Sequence, residues 1–230
     1  MLRCTALLLS LLFFTCSGSK TPTPKKELAP ENLSYLALGD SYTIGESVAE
    51  AERWPNQLAD TLAALGHKLR KPQIIARTGW RTDQLIEVMA STLKPEAKYD
   101  LVSILIGVNN QFQHRPIKVY KKELARLLDQ AIARAKKGKS HVFVLSIPDY
   151  GATPFGAEQA EQIGEAIDQW NAACAAICKE KGIAYYDITD ISRQATTDAA
   201  LVAPDGLHPS GKMYKMWVDR IIGRIVLLCD

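Results

Sequence analysis

The chain has 230 residues, of which 47% are apolar, with 28 Lys and Arg against 25 Asp and Glu for a net charge of +3. That balance excludes a disordered polyelectrolyte and gives no basic field for nucleic acid, leaving one soluble globular domain of roughly 200 residues behind a short leader. Five cysteines in a chain this long do not make a disulfide framework.

Residues 1–16 read as a targeting segment: Arg3 near the start, an apolar run from Ala6 to Phe14, then Thr15-Cys16-Ser17-Gly18. The run is too short to span a bilayer permanently. A cysteine directly after it, followed by small polar residues, resembles a bacterial lipoprotein signal. Cys16 would then carry lipid and hold the protein at the cell envelope, with ordinary secretion to the periplasm as the alternative. Residues 17–30 contain three prolines and three lysines and bury too little to order themselves, so they read as a tether. The domain proper is expected over 31–230.

From Leu33 onward short aliphatic runs alternate with segments of helical period. Strands are expected at Leu33–Leu38, Gln73–Ala76, Leu101–Ile106, Val142–Ile147 and Ile183–Asp187, and helices near 55–65, 82–93, 117–137, 157–181 and 211–228. This alternation predicts a three-layer α/β/α sandwich around a five-stranded parallel sheet, with ligand groups gathered at the carboxyl ends of the strands. Cys174 and Cys178 share an apolar helix face and read as buried thiols, with a disulfide to Cys229 left open.

The strand ends carry the chemistry. Gly39-Asp40-Ser41-Tyr42 sets a serine on a turn after the first strand. A serine hydroxyl needs a histidine within reach, and the histidine benefits from an acceptor that fixes its tautomer. Of the four histidines, His67 and His141 read as surface or structural groups and His114 as a loop residue. His208 sits in Pro204-Asp205-Gly206-Leu207-His208-Pro209, where one rigid loop presents Asp205 and His208 together. Strand two leads into Thr78-Gly79-Trp80-Arg81 and strand three into Gly107-Val108-Asn109-Asn110. Gly79 N–H and the Asn109 amide are therefore candidate donors to an oxyanion.

This ordered set of Gly-Asp-Ser-Tyr, a glycine after strand two, Gly-x-Asn after strand three and a late Asp-x-x-His resembles the SGNH (GDSL) hydrolase family over about Leu33 to Leu228. The resemblance implies a flavodoxin-like fold and a serine esterase without cofactor. In it Ser41 is the nucleophile, His208 the base and acid, Asp205 its orienter, and the N–H groups of Ser41 and Gly79 with Asn109 form the oxyanion hole. Two blocks depart from the family's pattern: Asn110 stands where an aspartate is common, and Trp80-Arg81 interrupts the second block.

Tyr42, Trp54, Trp80 and Arg81 are candidate pocket residues. No pair of histidines, cysteines or carboxylates has ligand spacing for a metal. The expected substrate is a small acyl ester. The alternatives are a deacetylase or acetyltransferase acting on envelope or plant glycans, where those aromatics would stack on a sugar, and a binding lipoprotein without catalysis. Oligomeric state is not encoded legibly.

Overall fold

The computed structural model describes Met1 and residues 32–229. The expected leader, Cys16 and the tether lie outside the described residues. Five strands form one parallel sheet: β1 (Tyr35–Gly39), β2 (Gln73–Ala76), β3 (Leu101–Leu105), β4 (Val142–Leu145) and β5 (Ala184–Tyr186), in the spatial order β2-β1-β3-β4-β5. Central strands β1, β3 and β4 are buried at every position, whereas edge strands β2 and β5 are only partly covered. The aliphatic runs of the centre follow from helices on both faces.

Helices α2 (Trp54–Ala64) and α8 (Gly211–Cys229) pack together on one face; α3 (Thr82–Thr92), α5 (Ile117–Arg134) and α6 (Ala160–Lys181) form the layer on the other. Three one-turn helices, α1 (Ser41–Ile44), α4 (Val108–Phe112) and α7 (Thr189–Arg193), follow strands β1, β3 and β5. Four or five residues are too few for a periodic signal, and the sequence reading has loops there.

Where bounds differ from expectation, specific hydrogen bonds divert the chain. Strand β4 stops at Leu145 because the Asn171 amide takes both backbone groups of Ile147, accepting from its N–H and donating to its C=O, each at 2.8 Å. Helix α5 stops at Arg134 because Ala135 bridges to Tyr99 and Lys136 N–H donates to Tyr99 O at 2.8 Å. Cys174 and Cys178 are buried on α6, and neither is in a disulfide.

Strand order reverses direction between β1 and β3, whose carboxyl ends diverge into loops on opposite faces. A crevice therefore opens there, where ligands bind in sheets of this order.

Candidate active site

Gly39 closes β1 where a side chain has no room, since a Cβ there would lie 2.4 Å from the Leu105 carbonyl. Asp40 caps α1 by accepting the Tyr42 N–H at 3.1 Å and Ser41 opens the helix. Asp40 is fully buried, and its second oxygen has no hydrogen-bond partner among the described residues. Burial pushes its carboxyl up to about 7, against the backbone N–H groups that favour its charge.

Asp205 and His208 sit on a tight excursion between α7 and α8. An antiparallel bridge pairs Val202 with Pro209, Ala203 N–H donates to His208 O at 2.7 Å, and Gly206 turns at φ 74°. His208 Nδ1 lies 2.7 Å from Asp205 Oδ2, while the backbone N–H groups of Leu207 and His208 both donate to Oδ1 at 2.9 Å. A fourth donor is Ser47 Oγ, 2.5 Å from Oδ2 and held at φ 64°. Partial burial works against the Asp205 charge, but Ser47, the His208 backbone and ring and the Leu207 N–H together hold it well below the ordinary carboxylate range. Sequence reasoning missed Ser47, which sits in an unpatterned loop and is recognisable only by its fold-back onto residue 205.

At the ends of β2 and β3, Gly79 adopts φ 85° and the Asn109 amide donates to the Trp80 carbonyl at 3.1 Å. An amide nitrogen carries two hydrogens, so this bond orients Asn109 and leaves the second free. Asn110 is fully buried. Its carbonyl accepts the Thr82 N–H at 3.0 Å and its amide donates to Thr82 Oγ1 at 2.8 Å and to Glu123 at 3.4 Å. The carboxylate expected at 110 is thus supplied from α5 by Glu123, and the loop keeps its support.

Ser41, Gly79, Asn109 and His208 line one cavity of about 140 Å³, together with Tyr42 and an apolar wall that includes Val108 and Leu207. Ser41 and His208 are 5% and 8% exposed, so reactive groups at this cavity are largely shielded from water. The Tyr42 ring meets His208 edge-on, with centroids 5.7 Å apart.

Three of the four candidate pocket residues are placed elsewhere. Trp54 is wholly buried against Phe143, where α2 packs on the sheet, because its apolar helix face points to the core. The Trp80 ring packs on the core and gives the site only its carbonyl. Arg81 is drawn to Asp83 and Gln113. Only Tyr42 lines the cavity. His141 Nδ1–H donates to the Asp100 carbonyl at 2.6 Å, a structural role. Among the described residues no cluster of His, Cys, Asp or Glu is placed to hold a metal ion.

Residues 37–216 match the model of the GDSL-like lipase/acylhydrolase family. The chain belongs to that family. It is a carboxylic ester hydrolase of the GDSL type. It is 23% identical over 199 residues to an isoamyl acetate-hydrolyzing esterase of Saccharomyces cerevisiae, covering 82% of this chain and 84% of that one. Its fold is that of TesA (TM-score 0.67, 18% identity, 85% of this chain and 99% of the other). Axe2, an acetylxylan esterase from Geobacillus stearothermophilus, shares it too (TM-score 0.62, 20% identity, 84% and 94%).

Proposed function

We propose that this GDSL hydrolase cleaves small acyl esters through an acyl-enzyme on Ser41, with His208 as base and acid and Asp205 as its orienter. The observation that carries the reading is the 2.7 Å contact between His208 Nδ1 and Asp205, in a ring that shares the cavity with Ser41. A proton on Nδ1, held by Asp205, leaves Nε2 as an acceptor for the serine proton.

Ser41 Oγ attacks the ester carbonyl carbon as His208 takes its proton. Charge on the carbonyl oxygen is met by the N–H groups of Ser41 and Gly79 and by the second amide hydrogen of Asn109. Collapse breaks the bond to the alkoxide, which leaves with the proton from His208. Water, deprotonated by the same ring, then releases the acid and restores Ser41.

A cavity of about 140 Å³ beside Ser41, with an apolar wall that includes Val108 and Leu207, supports a short acyl group. The isoamyl acetate-hydrolyzing relative, named for an acetate ester, agrees with that size. Residues 1–16 support export, with Cys16 as the lipid-bearing residue at the envelope. Metabolic labelling with a palmitate analogue, lost in Cys16→Ala, tests that placement.

The deciding experiment is labelling with a fluorophosphonate and hydrolysis of 4-nitrophenyl acetate. The native protein is expected to take the label on Ser41 and turn over; Ser41→Ala is expected to do neither. Undiminished turnover by Ser41→Ala would sink the mechanism.

A further inference from the structure

Next to the acyl cavity lies a second concavity of about 280 Å³, twice as large, which shares Phe112, Tyr150 and Phe155 with it. The three rings form one ridge: Phe112 to Tyr150 is 6.0 Å, Phe112 to Phe155 6.1 Å and Tyr150 to Phe155 6.5 Å between centroids. Phe112 and Phe155 are 49% and 55% exposed, unusual for large apolar groups, while Tyr150 is buried as their base. Beyond the ridge the concavity is lined by polar groups, His114, Glu158 and Gln159.

The ridge is fixed to the catalytic loop. Phe155 N–H donates to Gly206 O at 3.0 Å, between Asp205 and His208. Gly156 turns where a Cβ would lie 2.2 Å from the Tyr150 carbonyl, and Tyr150 Oη donates to Gln111 at 3.0 Å. His114 holds φ 55° at the rim, a left-handed conformation that is uncommon for a residue with a side chain.

We infer that this groove is a leaving-group subsite that seats a neutral sugar ring, so that the ester cleaved at Ser41 is an O-acyl group on a carbohydrate. The inference rests on the Ser41 hydrolase reading, and takes the Ser41 cavity for the acyl group and the groove across the ridge for the alcohol. A pyranose has an apolar face of C–H groups and a rim of hydroxyls. Exposed Phe155 and Phe112 match the face. Glu158 and Gln159 supply acceptors, and Gln159 and His114 donors, for the rim. A hydrocarbon chain in the same groove would strip water from three polar side chains without replacing their hydrogen bonds. An anionic alcohol would meet the Glu158 carboxylate.

The test compares kcat/KM on an O-acetylated xylo-oligosaccharide with kcat/KM on 4-nitrophenyl acetate, whose alcohol lacks a hydroxyl rim. The ratio of the two is measured for the native protein, Phe155→Ala and Glu158→Ala/Gln159→Ala; the double variant changes only exposed side chains. The expected result is a fall of about tenfold or more in that ratio for both variants, carried mainly by KM for the sugar ester. A ratio that moves less than twofold overturns the inference. So does a native protein that cleaves the aryl acetate but not the sugar ester. Variants that instead change the preference among 4-nitrophenyl acetate, butyrate and octanoate would assign the groove to acyl chains and overturn it as well. A native protein that neither turns over any of these esters nor takes a fluorophosphonate would bring down the Ser41 reading itself, a separately visible failure.

Discussion

Asp205 accepts four hydrogen bonds on two oxygens, and three of them come from its own loop. The fourth, from Ser47, comes from the segment just after Ser41. Hydrogen bonds to charged groups contribute about 1.5 to 3 kcal/mol, so Ser47→Ala is expected to lower kcat/KM on aryl acetates by about tenfold. A depressed carboxyl pKa adds stability that is present above the unfolded value, near 3.9, and lost as pH falls towards the folded one. Losing a donor raises the Asp205 pKa, so acid unfolding of Ser47→Ala should begin at higher pH than in the native protein. An unchanged acid midpoint by circular dichroism would contradict this. Asn109→Ala should cost on the order of 10²-fold in kcat, as removal of an oxyanion donor does.

Short elements set the site, and their caps can be tested. Asp40 has the opposite sign to Asp205. Its carboxyl is raised to about 7, so between about pH 4 and 7 the folded protein holds a proton that the unfolded chain has lost, and stability falls as pH rises through that window. Asn keeps the cap without the charge. Thermal melting of Asp40→Asn should therefore lie above the native value at pH 8 and close to it at pH 4. A lower melting temperature at pH 8 would count against the buried charge.

At α4 the amide of Asn110 lies 3.4 Å from Glu123. Asn110→Asp sets two carboxylates against each other and should cost about 1–3 kcal/mol at neutral pH. Adding Glu123→Gln should recover most of it, a coupling that a double-mutant cycle measures.

For the molecule as a whole, the gradient from buried centre to half-covered edges predicts amide exchange slowest in β1, β3 and β4 and faster in β2 and β5. Edge strands as protected as the centre would contradict it. The sheet and its five long helices were legible in the sequence because aliphatic runs and helical period are local signals. That Ser41 and His208 would share one cavity, with Asp205 on the His208 ring, was legible because residues beyond the strand ends converge in such a sheet. What escaped is non-local. Ser47 and the aromatic ridge carry no pattern until loops far apart in sequence meet, and Trp54, read as a mouth residue, belongs to the packing of α2.

The bond between Ser47 and Asp205 spans 158 positions of chain. Residue 41 is made early and residue 208 late, so during synthesis Ser41 exists for most of the chain's elongation without His208. Under the proposed mechanism, a half-made molecule would therefore have no base for its serine and no means of attacking esters. In that mechanism hydrolytic competence is a property of the completed chain, in which α8 packs on α2 and the late loop meets the early one.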